Sequence, residues 1–319
     1  NYTATIDGTT ITNTYKPGKT SLTVTKKWDD AENQDGLRPK TIKVQLYADG
    51  QKLGKEVELS EDNKWSYTFS DLDEKKDGKT IQYTVKETKV PEGYTQTVEA
   101  TNLGQVVISN THTPSKTKVQ LTKKWDDANN QDGIRPASIT VRLYKDGAPT
   151  DQTIELSEAN QWHGTFENLD VNAAGKALNY TVKEENVPEG YTLSIDDKDP
   201  AHLVLTNKHE PNVTQIQVTK KWDDGDDKDG LRPKTIKVQL YADGKKAGEV
   251  VELSVDNKWT YTFTDLVEKA NGKAISYTVE EVDVPEGYQV SKIDDVKGNV
   301  VLTNKHEPSI PPTTTTEAP

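Results

Sequence analysis

Residues 22–30 read LTVTKKWDD, and the way their side chains divide between two faces decides the fold. Leu22, Val24 and Trp28 fall on one side of an extended chain; Thr23, Thr25 and Lys27 fall on the other. Such a period of two marks a half-buried β-strand, because helical apolar residues recur every three or four positions instead. The pattern continues downstream. TIKVQLYADG (41–50) alternates and ends on an Asp-Gly turn, and KWSYTF (64–69) alternates again. IQYTVKE (81–87) sets Ile81, Tyr83 and Val85 together, and QVVISN (105–110) sets Val106 and Ile108 together. Asp-Gly, Asn-Gly, Asp-Asn-Lys and Pro-Glu-Gly separate these runs, each a turn signal.

The whole pattern recurs. TKKWDD places its Trp at 28, 125 and 222, and VPEGY places its Gly at 93, 190 and 287, a period of 97 in both cases (125 − 28 and 190 − 93). A second tryptophan follows at Trp65, Trp162 and Trp259. This period is too long for a solenoid unit and suits a small all-β domain. The expected organisation is three domains, 18–113, 114–210 and 211–308. Residues 1–17 would be the last strand of a truncated preceding repeat, since ITNTYKP ends like VISNTHTP and Asn13 aligns with Asn110. Residues 309–319 would be an extended Thr/Pro-rich tail. The expected fold class is all-β: tandem immunoglobulin-like antiparallel β-sandwich domains, with the paired tryptophans in each core and short helical pieces at most.

Composition narrows the function. The 319 residues include 40 Lys+Arg against 52 Asp+Glu, for a formal charge of −12. That balance argues against nucleic acid and anionic lipid, which need clustered cations. Only about one residue in five is Leu, Ile, Val or Phe, so a core depends on strict patterning. No run of eighteen apolar residues occurs, so no membrane segment is expected. There is no cysteine, hence no disulfide and no thiolate chemistry. The chain begins at Asn1 with no Met and no signal-peptide pattern, and reads as a fragment or mature piece of something larger.

Alternation also places three polar groups on the apolar face. Lys26 lies between Val24 and Trp28, Glu87 follows Tyr83 and Val85, and Asn110 follows Val106 and Ile108. Lys123, Glu184 and Asn207 repeat this in the second repeat, and Lys220, Glu281 and Asn304 in the third. An amine, a carboxyl and a carboxamide turned inward would be costly if isolated, so they must meet or sit in water at the sheet ends. Two readings stand at this point. One is a buried Lys–Glu ion pair with Asn as a hydrogen-bond partner. The other is covalent: a desolvated Lys loses its proton and attacks the Asn carboxamide, with the Glu assisting and ammonia leaving.

VTKKWDD, QDGLRP, the second Trp, YTVKE or YTVEE, the PEGY turn and the closing SN or TN strand together resemble the B-type repeat domain of Gram-positive surface adhesins. That domain is known from the collagen adhesin and occurs also in pilins. The resemblance covers everything except the final tail. It implies an immunoglobulin-like sandwich, secreted and displayed on the cell wall, with a spontaneous Lys–Asn isopeptide bond. Carried over, Lys26 would join Asn110 with Glu87 assisting, Lys123 would join Asn207 with Glu184, and Lys220 would join Asn304 with Glu281. Asn13 has no matching Lys and would be unlinked. Anchoring to the producer's cell wall would use a missing C-terminal region, and a host extracellular matrix protein would be held by a missing N-terminal domain.

Other signals are weaker. Aligning Gly36 of DDAENQDG with the glycine of a calcium loop puts Ile42 where a bidentate Glu belongs, so an EF-hand is excluded. A loose cation site near Asp226, Asp227 and Asp229 is the remaining metal reading, set against a solvated turn in which Arg38, Arg135 and Arg232 pair with carboxylates. His112, His163, His202, His209 and His306 follow no metal-ligand spacing, and three of them read as linker residues. No cofactor is expected, and no turnover enzyme, since no catalytic constellation recurs. The expected role is a structural stalk; the alternative is that the repeats themselves bind a host matrix ligand through an exposed patch.

Overall fold

The computed structural model describes residues 2–101, 104–295 and 298–309. The expected tail, 309–319, lies outside the described residues apart from Ser309. Contacts gather the chain into two compact units. One is Asn1–Gln120 with Arg142–Ile154 and Thr165–Lys183; the other is Leu121–Val141, Glu155–Gly164 and Glu184–Pro319. The first repeat lies wholly in the former and the third wholly in the latter.

The leading segment forms two strands, β1 (Tyr2–Asp7) and β2 (Thr10–Tyr15), rather than the single strand expected. They pair antiparallel, with Asn13 opposite Ala4. Gly8 (φ +62°) supplies the left-handed turn residue between them.

The first repeat runs β3 (Lys19–Asp29), β4 (Thr41–Ala48), β5 (Gln51–Ser60), a 3-10 turn (Glu61–Asn63), β6 (Ser66–Asp73), β7 (Lys75–Lys76), β8 (Lys79–Thr80), β9 (Tyr83–Glu87), β10 (Thr95–Thr101) and β11 (Gln105–Thr111). One sheet has the order β10-β11-β3-β6, the other β5-β4-β9. Leu22, Val24, Leu72, Val106 and Ile108 of the first sheet are buried together with Ile42, Val44, Leu46, Leu59 and Val85 of the second. Facing alternate residues in this way is how a sandwich makes a core from few apolar side chains.

The sheets are not wholly antiparallel, as the sequence reading had them. β11 lies parallel to β3, with Lys26 opposite Ile108 and Trp28 opposite Asn110. The chain therefore starts β3 at one end of the sheet and leaves β11 at the other. The third repeat repeats this: Val213–Asp223 is parallel to Asn299–Lys305 and antiparallel to Thr260–Val267. The middle repeat has its strands at the same spacing, from Lys116–Asp126 to His202–Lys208.

Candidate functional site

The first strand delivers its lysine to the interior by parity alone. Along β3, Leu22, Val24 and Lys26 are buried while Lys27 is exposed. The second tryptophan fixes that point of the strand. Trp65 has φ +55°, a costly conformation for a bulky residue, and its carbonyl accepts the Lys26 amide at 2.8 Å. Trp162 and Trp259 hold the amides of Lys123 and Lys220 at the same distance. Trp28 packs edge-on against Trp65, with ring centroids 5.3 Å apart, and the Lys26 ammonium lies 3.8 Å from the Trp28 ring centre.

Glu87, at the end of β9, comes from the opposite sheet, and Asn110 comes from β11 beside β3. Lys26 is 4% exposed, Glu87 8% and Asn110 0%. Asn110 Nδ2 donates to Glu87 Oε2 at 3.1 Å, and Lys26 Nζ donates to the Lys27 carbonyl at 2.7 Å. In the second repeat Lys123 Nζ stands 3.1 Å from Glu184 Oε2, both side chains fully buried, and Asn207 Nδ2 donates to Glu184 Oε1 at 2.8 Å. In the third, Lys220 Nζ is 3.7 Å from Glu281 Oε2, and Asn304 Nδ2 donates to Glu281 Oε1 at 3.0 Å. In the second and third repeats the lysine, glutamate and asparagine picked from face parity come together in a buried cluster; in the first, Glu87 and Asn110 meet while the Lys26 ammonium turns to the Lys27 carbonyl.

Burial sets the electrostatics. Desolvation pulls Lys26 and Lys220 down to about 8, against the opposing pull of Glu87 and Glu281, and lowers Lys123 as well. Desolvation likewise raises Glu87 and Glu281, outweighing the nearby ammonium. Both shifts favour the neutral amine and the neutral acid. The Lys123–Glu184 contact has the distance of an ion pair but lacks the alignment of a hydrogen bond. Lys123 Nζ, Glu184 Oε2 and Asn207 Oδ1 are therefore buried polar atoms with no hydrogen-bond partner, as are Glu281 Oε2 and Asn304 Oδ1. In all three repeats the carboxamide is turned so that its nitrogen donates to the Glu.

Residues 22–111, 119–208 and 216–305 each match the Cna protein B-type domain. The chain belongs to this B-type domain family. It is 44% identical over 307 residues to a collagen adhesin of Staphylococcus aureus, an alignment covering 96% of this chain and 25% of that protein. The chain therefore spans about a quarter of that relative's length. It also resembles the crystal structure of two B repeat units of the Staphylococcus aureus collagen binding protein, at 43% identity and a TM-score of 0.55, covering 96% of this chain and 80% of that one.

Each B-type domain has a second polar network that sequence reading only half saw. Asp30, expected in a solvated turn, is 2% exposed. Arg38 grips it through Nη2 at 2.6 Å and Nε at 3.1 Å, and the Tyr94 hydroxyl donates to it at 2.7 Å. Asp127 with Arg135 and Tyr191, and Asp224 with Arg232 and Tyr288, repeat the arrangement. The parity that selected Lys26 and Trp28 also reaches Asp30, two positions further on, and could have identified it. The histidines after the closing strands are not passive linker residues either: His112, His209 and His306 each pair with the Asp of the QDG or KDG loop. No cluster of His, Cys, Asp and Glu fit to hold a metal ion occurs among the described residues.

Proposed function

We propose that the chain is a run of spacer domains, 18–113, 114–210 and 211–308, from the stalk of a Gram-positive cell-surface adhesin. Each domain is closed by one Lys–Asn isopeptide bond: Lys26–Asn110, Lys123–Asn207 and Lys220–Asn304. The observation that carries this reading is the burial, in each domain, of a lysine, a glutamate and an asparagine supplied by three strands, with the carboxamide hydrogen-bonded to the glutamate in all three.

The chemistry follows from the two shifts. Neutral Lys26 attacks the Asn110 side-chain carbonyl carbon, and Glu87 carries a proton to the departing nitrogen. An N–C bond forms, the carboxamide C–N bond breaks, and ammonia leaves. The event is spent once per domain, so no turnover enzyme is proposed. Confinement in a closed pocket supplies the orientation that an intermolecular amide exchange would lack. Because β3 and β11 are parallel neighbours, load applied through the two chain ends shears one against the other. A bond from Lys26 to Asn110 carries that load directly.

This role belongs to a protein secreted and displayed on the cell wall. Wall attachment and the holding of a host matrix protein are assigned to other regions of the adhesin, since these repeats match only a quarter of the relative. The intact mass of the denatured chain tests the chemistry. It should fall short of the sequence mass by three ammonia molecules; the full mass would refute the bonds.

A further inference from the structure

Consecutive repeats touch through one recurring set of atoms. His112 lies between two acceptors, with Nδ1 2.8 Å from the Gly93 carbonyl and Nε2 2.9 Å from Asp35 Oδ2. Gly93 is the glycine of the PEGY turn, and Asp35 belongs to the QDG loop. Two acceptors require two N–H donors, so this geometry calls for the imidazolium. Asp35 Oδ2 also accepts the Ser115 amide, on the linker, at 2.9 Å, and Oδ1 accepts Asn172 Nδ2 of the next repeat at 3.3 Å.

Beside it, the Gln34 carbonyl accepts the amide of Gly175, at the tip of the next repeat's short hairpin, at 3.0 Å. Gln34 Nε2 donates to Asp170 Oδ1 at 2.8 Å. The two backbones meet glycine to glycine: a Cβ on Gly175 would sit 3.1 Å from the Gly36 Cα.

The second junction is built alike. Gly272 N donates to the Gln131 carbonyl at 2.9 Å, Asn212 N donates to Asp132 Oδ2 at 3.1 Å, and His209 bridges Asp132 and the Gly190 carbonyl. Here Lys269 and Val267 stand where the first junction has Asn172 and Asp170, and Gln131 Nε2 and Asp132 Oδ1 are left without hydrogen-bond partners. The third repeat carries the same clamp, with His306 and the Ser309 amide on Asp229.

We propose that the QDG loop of each of the first two repeats is a seat for the glycine hairpin of the following repeat, locked by the imidazolium of the histidine that ends the closing strand. With the lock closed, one carboxylate ties together the histidine, the linker and the next repeat. When His112 loses its proton it keeps one N–H for two acceptors, so either Asp35 or the Gly93 carbonyl is let go, the bridge between loop and turn opens, and the joint slackens. The stalk is thus stiff or pliant according to pH.

The charges around the lock agree. Facing His112 are Asp35 and, further off, Asp30, whose charge Arg38 answers; the Tyr94 ring lies 5.5 Å away, and Asn172 is the polar group from the next repeat. His209 faces Asp132, with Asp127 behind it paired to Arg135, and Lys269 acts on Asp132. The hydrogen bond to Asp35 raises the His112 pKa above its usual 6.5, so the lock is closed at mildly acidic pH and is lost as pH rises through that raised value.

The absence of cysteine makes the test direct. Spin labels at Lys52→Cys and Thr153→Cys, both exposed, report the distance between the first and second repeats in the full chain. One narrow distance is expected at pH 6, lost to a broad distribution at pH 10 and, at every pH, in Asp35→Ala. Gly175→Ala should also broaden it, whereas Gly78→Ala should not. Gly78 has the same hairpin position and a similar φ (+78° against +75°), but nothing lies within 4 Å of its added Cβ. A width indifferent to pH overturns the lock. A width indifferent to Gly175→Ala, or equally broadened by Gly78→Ala, overturns the seat.

Discussion

Lys26→Ala removes the proposed bond from the first domain and should change how that domain yields to force. With the bond in place, tension passes from β3 through Lys26 to Asn110, and the intervening residues, 110 − 26 − 1 = 83 of them, are withheld from extension. At roughly 3.3–3.6 Å per extended residue, those residues hold about 270–300 Å of chain. Single-molecule pulling on the wild-type chain should therefore show no unfolding step of that size before the tether breaks. The Lys26→Ala chain should show one such step per molecule. The bond also closes a loop of this length in the unfolded state, which loop-closure entropy values at about 4–5 kcal/mol, so the variant domain should melt well below its neighbours. Three such steps in the wild type, or none in Lys26→Ala, would refute the reasoning.

Glu87→Gln keeps the shape of the pocket but cannot shuttle the proton. It should restore one ammonia to the mass while the far-ultraviolet dichroism stays unchanged; a mass still short by three would remove Glu87 from the mechanism. Lys27→Ala, on the exposed face, should leave the mass deficit at three ammonia molecules, and a restored ammonia would reverse the strand parity. Burial alone would raise Asp127, yet Arg135, the Asn130 amide and Tyr191 outweigh it and bring it to about 2, with Asp30 lowered too. A lowered carboxylate stabilises the fold above its unfolded pKa and ceases to do so as pH falls through the folded one. The denaturation midpoint should then drop between roughly pH 4 and pH 2; a flat midpoint there would discount the Asp–Arg–Tyr cluster. Purified repeats should show no saturable binding to host matrix proteins on a sensor surface, and a saturating isotherm would favour the rival reading, in which the repeats bind directly.

Much of the triad was legible because side-chain parity is a strict rule of extended chains. Lys26 and Lys27 are chemically identical neighbours, and only the count from Val24 separates the buried one from the exposed one. Strand direction was not legible in the same way. Alternation says which face a residue takes but nothing about whether its neighbouring strand runs with it or against it, so the parallel β3–β11 pair was missed. The clamp was hidden for a different reason: Asp35 and His112 are 77 residues apart and meet only when the PEGY turn and the QDG loop close on the same end of the sandwich. The strained backbone of Trp65 had no signal at all, since tryptophan is a poor choice for a left-handed conformation and only its surroundings impose it.

The position of β11 has a consequence for the order of events at biosynthesis. It is the last strand made, yet it sits inside its sheet, flanked by β10 and by the first strand made. Nearly the whole domain must emerge before β3 gains its central partner, a topology of high contact order that closes late. Lys26 and Asn110 are therefore strangers in any nascent or partly threaded chain. The proposed bond between them is therefore postponed, by connectivity alone, until its own domain has been made to the last strand.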